Sequence, residues 1–112
     1  MKNARRPDDA ELKLVTMTED ADLLFVLGDE RGRRFIWREL GTNGLLRQTY
    51  SPNNSEQCFN AGQRNAAIRL LDDVMRVSPD LYLTMQQEAI EADKRAQLIA
   101  AAQRERGQDN DD

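Results

Sequence analysis

From Phe59 to Val77 the apolar positions return at steps of three and four: Phe59, Gly62, Ala66, Leu70, Val74 and Val77, with Ala67, Leu71 and Met75 widening the stripe. That period belongs to an amphipathic helix, and no segment of similar length shows the strict alternation of a strand. Leu45–Tyr50 is the only piece that reads as extended. At 112 residues there is chain for one core and not for two. The expected fold is therefore all-α: a small bundle of three to four helices with a long, partly projecting C-terminal helix and disordered termini.

Local signals divide the chain further. Residues 1–15 are polar, contain Pro7 and read as a disordered N-terminal arm. A first helix is expected from Thr16, because Thr16 and Glu19 have the spacing of a capping box, and Gly28 is its natural stop. Asp29 can cap a second helix running to about Leu40, with Gly41 and Gly44 bracketing the turn after it. Asn53 or Ser55 can cap the third helix, and Ser78–Pro79 restarts the chain as a fourth. That fourth helix is expected to reach about Arg106 before Gly107 and an acidic tail over 107–112, with residues 16–106 forming the single domain. Gly62, inside the core stripe, costs about 1 kcal/mol of helix propensity against alanine. Its expected return is space for a bulky ring, and Trp37 is the candidate.

The chain offers little for catalysis. It has no histidine, which removes His-assisted nucleophiles and the commonest metal ligand. Cys58 is the single cysteine and, beside Phe59, is expected to be a small buried hydrophobe. The acidic side chains come mostly as neighbours in sequence, such as Asp8–Asp9 and Asp72–Asp73, which do not converge on a point. We expect no enzyme and no cofactor. No run approaches the roughly 18 apolar residues that cross a membrane, and no apolar run follows the basic residues near the N-terminus. The expected location is the cytosol of the cell that makes the protein, or a particle assembled there. Charge is blocked: residues 1–30 carry net −4, residues 31–76 net +4 and residues 77–112 net −4. Acidic flanks make a poor footprint for duplex DNA, whereas a basic middle between acidic ends can hold itself together or pack head-to-tail with a copy of itself.

The stretch RGRRFIWREL, residues 31–40, concentrates that basic middle. On a helical projection Arg31, Arg34 and Arg38 fall within about 60°, with Ile36, Trp37 and Leu40 roughly opposite. Arg33 lies nearer the apolar side, where its stem can rest on the core and its head reach water. Phe35 stands beside the arginines, either exposed for a partner or covered by a neighbouring segment. Joined by Arg64, Arg69 and Arg76 of the third helix, the arginines are candidate contacts for a protein partner or for nucleic acid. On the fourth helix Tyr82, Met85, Ala89, Ala92, Ala96 and Ile99 alternate by three and four, a heptad-like seam and a candidate helix-packing interface.

The segment GRRFIWRELGTNGLLRQTYSPNN, followed by FNAGQRNAAIRLLDDVMRVSPDLYLTMQQEA, resembles a family of small tailed-phage proteins typified by one from a Bordetella podophage. The likeness rests on Gly32, Arg33 and Trp37, on Phe59, Asn60, Gly62, Arg64, Asn65, Arg69, Leu70 and Leu71, and on Pro79, Asp80 and Tyr82, across roughly residues 30–92. It implies a phage structural-module protein, either a minor virion component or an assembly or packaging factor. Such a protein would lie in the cytoplasm of the infected bacterial host or in the virion. The implied partners are virion or assembly proteins, with self-association. A small nucleic-acid-associated regulator or packaging accessory is the alternative, and the resemblance brings no catalytic residues.

Overall fold

The computed structural model describes residues 5–46 and 49–110. Four helices follow one another: α1 (Asp9–Leu27), α2 (Glu30–Thr42), α3 (Asn54–Val77) and α4 (Pro79–Asn110). No strand occurs among the described residues, and the fold is all-α as expected. Part of the Leu45–Tyr50 piece, residues 47–48, lies outside the described residues. Asp29 caps α2 by accepting the Arg31 N–H, and Asn53 caps α3 by accepting the Glu56 N–H. Ser78 Oγ accepts the Leu81 N–H at 3.2 Å, with Pro79 at the first helical position where a missing N–H costs nothing. Gly44 has φ +76°, and around it Leu45 N–H bonds the Leu40 carbonyl while Gly44 N–H bonds that of Gly41. This is a Schellman ending for α2, which only a residue tolerant of positive φ accepts without strain.

The helix ends differ from expectation in three places. α1 begins at Asp9, not Thr16, because Asp8 already caps it by accepting the Glu11 N–H at 2.8 Å. The expected arm over 1–15 is thus mostly helix, and residues 1–4 lie outside the described residues. Thr16 sits mid-helix and gives its hydroxyl to the Leu12 carbonyl; the Thr16–Glu19 spacing repeats one that Asp8 and Glu11 have already used. α2 reaches Thr42 with Gly41 inside it. At the other end α4 runs through Gly107 to Asn110. A glycine meeting open space costs only about 1 kcal/mol, too little to stop a helix of Ala, Gln, Arg and Glu. Residues 111–112 of the expected tail lie outside the described residues.

Leu27, Ile36, Leu40, Ala67, Val74 and Met85 form the buried core, one or two from each helix. Trp37, Leu70, Leu71 and Tyr82 pack around it. The stripe of α3 joins this core only in its second half. Phe59 is 65% exposed, Cys58 is exposed, and Gly62 has no neighbour where a Cβ would stand. The first turns of α3 therefore run beyond the packed region, and Trp37 stacks instead against Tyr82, ring centroids 6.3 Å apart. The close approach lies elsewhere. α1 and α2 are joined by Gly28 and Asp29 alone, which presses the first turn of α2 against α1. A Cβ at Gly32 would overlap the Val26 carbonyl.

The core is small for the chain. Its radius of gyration is 20.5 Å and its longest dimension 77 Å, against about 13 Å of radius for a compact domain of this length. α4 alone spans about 48 Å at 1.5 Å per residue, and residues 91–99 are all exposed, so its second half projects. Residues 12–19 of α1 are likewise all exposed. Asp20 of α1 meets Arg76 at the end of α3, whereas Leu27 lies beside Arg33 and, through it, Glu88 of α4. α1 and α4 thus run the same way along the body and overhang it at opposite ends. Two glycines give a sharp test of this packing. In chemical denaturation Gly32→Ala should lose on the order of 3 kcal/mol by overpacking, while Gly62→Ala should gain up to about 1 kcal/mol.

Candidate functional site

Where α1 ends, α2 begins and α4 passes, one arginine holds all three. Arg33 donates from Nε and Nη2 to the two carboxylate oxygens of Glu88, at 2.6 and 3.0 Å, and from Nη1 to the Leu27 carbonyl at 2.9 Å. The guanidinium fork matches the carboxylate geometry, and its third bond satisfies an orphan carbonyl at the end of α1. The Arg33 side chain is 13% exposed and that of Glu88 27%. Its head therefore does not reach water, as the sequence suggested, but is spent inside the fold. The Arg33 hydrogen bonds hold the Glu88 carboxyl below its ordinary range, and the same contact raises Arg33.

The six candidate arginines are all exposed and fall into two sets. Arg31, Arg34 and Arg38 line the outer side of α2. Arg31 is turned back on Asp29 at 3.3 Å, a contact that lowers Asp29 and raises Arg31. Arg38 lies over the ring of Phe35, its guanidinium carbon 5.4 Å from the centroid, so Phe35 is exposed and roofed by a cation. On α3, Arg76 is bound by Asp20 at 2.6 Å and Asp73 at 2.9 Å, which raises it. Arg64 lies more than 100° round the helix from Arg69 and Arg76 on a helical projection, by a rough count of 100° per residue. The structure does not gather the α3 arginines into one patch. Arg34, Arg64 and Arg69 make no ion pair among the described residues.

Along α4 the seam changes character. Tyr82 and Met85 are packed in the core, Met85 at 1% exposure; Ala89 is half-buried; Ala92, Ala96 and Ile99 are exposed, Ile99 at 60%. One face thus continues from the bundle into solvent. Beside it α2 and α4 form a groove of about 850 Å³, lined by Trp37, Met85, Ala89 and Ala92 with Arg34 and Lys94 among its polar residues. Its lining is mostly apolar and it lies open to solvent, a shape suited to side chains of a partner rather than to a small molecule held by convergent polar groups. No cluster of His, Cys, Asp and Glu among the described residues is arranged to hold a metal ion, and no helix there is long and apolar enough to cross a membrane.

Sequence reasoning missed two features. The Arg33–Glu88 pair joins residues 55 apart, and no local spacing announces it. The outer face of α1 was legible: Ala10, Leu14, Met17, Ala21 and Leu24 recur at steps of four and three. Reading residues 1–15 as an arm cut that row in half.

The sequence profile described as Bbp19-like phage protein matches residues 23–87. The chain belongs to this family. No curated protein and no solved structure matches it. The Bbp19-like segment coincides with the packed body: it starts at Leu23, the first α1 residue against the core, and ends two residues after Met85, the last fully buried one. Gly32 and Arg33, at the head of the resemblance, now have physical roles in close approach and in the three-helix clamp. Both overhangs lie outside the match.

The clamp sets an acid response. Because Glu88 is held below its ordinary value of 4.5 in the folded protein, the unfolded chain takes up the proton first as pH falls. The stability Glu88 contributes is complete above that value and is lost as pH drops through the native pKa. Acid titrations followed by circular dichroism should therefore show a flatter decline for Glu88→Gln than for wild type. At neutral pH Arg33→Ala should cost on the order of 3 kcal/mol, since it strands a partly buried carboxylate.

Proposed function

We propose that this Bbp19-like protein is a non-enzymatic component of the phage virion or of head and tail assembly, acting by protein–protein docking or self-association without a cofactor. The carrying observation is the seam of α4, in which a helix face buried at Met85 runs on, still apolar but uncovered, to an exposed Ile99. A face of that kind is a contact surface awaiting its other half. The exposed cations of α2 can steer and orient an acidic partner alongside it. On this reading the protein acts in the infected bacterial cytoplasm, in the virion, or in both.

Nucleic-acid binding is the second reading, and one observation favours it: Arg34, Arg64 and Arg69 are exposed without an ion pair among the described residues. Against it, Arg31 and Arg76 are already engaged by carboxylates, and α1 and α4 each carry more acidic than basic residues.

Mass spectrometry of purified virions beside the infected-cell lysate tests the first reading. Copies in the virion, or head or tail proteins co-purifying from the lysate, are expected. Absence from both, with micromolar DNA or RNA binding that falls with salt and collapses in Arg34→Ala/Arg38→Ala/Arg69→Ala, would replace it by the second.

A further inference from the structure

Two surfaces stand outside the packing of the bundle, one convex and one concave. The convex one is the outer face of α1. Ala10, Leu14, Met17, Ala21 and Leu24, with Phe25, occupy an arc of roughly 100° that holds no charged residue. Leu14 is 63% exposed, Met17 58% and Phe25 84%, while the core-facing Leu23, Val26 and Leu27 lie on other sides of the helix. Packing within the chain does not account for this row. Its helix is acidic: with Glu11 paired to Arg5 and Asp20 to Arg76, Asp9, Glu19 and Asp22 still stand against Lys13 alone.

The concave surface is the α2/α4 groove. Small side chains, Ala89 and Ala92, leave its volume of about 850 Å³ unfilled, roughly what several large apolar side chains occupy. Arg34, Lys94 and Arg95 outnumber its free anions, Glu30 and Asp93, since Glu88 is neutralised by Arg33.

We propose that the α2/α4 groove of one copy receives the outer face of α1 from a second copy. Large side chains on α1 meet alanine-lined space on α4, and an acidic helix meets a rim of net positive charge. The α1 row does not reach the groove of its own chain. Met17 lies about 15 Å upstream of Leu27 along a helix, and that helix heads toward the end of α3, as the Asp20–Arg76 pair shows. Pairing α1 with α1 of another copy would instead oppose two acidic helices. The contact joins two different patches, so it closes as a two-fold dimer where the row of each copy sits in the groove of the other, and otherwise repeats into a ring or an open filament.

This deepens the docking reading by naming a second copy as the occupant. Incorporation into virions is measured separately, so either can fail alone. The test is light scattering on size-exclusion fractions of the full chain across a concentration series, with circular dichroism on each variant. Wild type should grow beyond the monomer mass, and less so in high salt. Leu14→Asp/Met17→Asp spoils the row and Ala92→Glu/Lys94→Glu spoils the groove. All four positions are exposed, and Phe25→Ser is a second row variant should the first lose helix. Each should shift association by at least about tenfold, the equivalent of 1.4 kcal/mol. Mixed together, the two variants retain one intact row and one intact groove, and should form a 1:1 dimer that goes no further. A mixture that stays monomeric, or a wild type monomeric at every concentration, overturns the proposal.

Discussion

Arg33 sits where three helices converge, and each of its three guanidinium nitrogens donates a hydrogen bond: two to Glu88 and one to the last carbonyl of α1. Without it the partly buried carboxylate of Glu88 and the carbonyl of Leu27 would both lose their partner, which is costly for each. The position of Arg33 depends in turn on Gly32, whose missing side chain lets the first turn of α2 lie against Val26. A two-residue link, a glycine and an arginine thus set the angle at which α1 leaves α2 and the height at which α4 crosses both. The remaining contacts, from Trp37 on Tyr82 to Val74 and Ala67 in the core, fill the space this geometry defines.

That geometry also decides what is left over. A core drawing only one or two buried residues from each helix leaves long stretches of those helices uncovered. α1 and α4 run on past it at opposite ends, each with apolar side chains that the body does not cover. The profile of the Bbp19-like family begins and ends almost where the packing does. The matched segment is therefore nearly the packed body. Charge follows the same division, with the basic block on α2 and α3 and the acidic helices extending from either side. A molecule so built has acidic ends and a basic middle, which favours setting an end of one copy against the middle of another over pairing two ends.

Much of this was legible in the residues, for identifiable reasons. Caps at Asp29, Asn53 and Ser78 act through neighbours two or three positions away, so they can be read locally, and all three hold. The period of α3 announces a helix but not how much of it is covered, because coverage depends on where the other helices end; Phe59, Cys58 and Gly62 fail together for that one reason. The Thr16–Glu19 spacing misled because the capping-box pattern is short and recurs, and Asp8 had made the helix first. On α4 the seam from Tyr82 to Ile99 was visible as periodicity; only the three-dimensional body shows that it divides into a buried and an exposed half. The Arg33–Glu88 pair had no sequence signal, since its members are brought together by the whole fold. Projection placed Arg31, Arg34 and Arg38 on the outside of α2, as found, whereas the engagement of Arg76 by Asp20 required α1 and α3 to be adjacent.

Amide hydrogen exchange on dilute, monomeric protein tests the division into a clamped body and two uncovered projections most directly. Protection should be highest from Leu23 through α2, in the second half of α3 and in α4 up to about Ala89, and should fall away over residues 12–19 and 91–99, where every residue of the helix is exposed. Raising the concentration should slow exchange in those overhangs and leave the body unchanged. Equal protection along the whole of α1 and α4 in the dilute monomer would contradict the account.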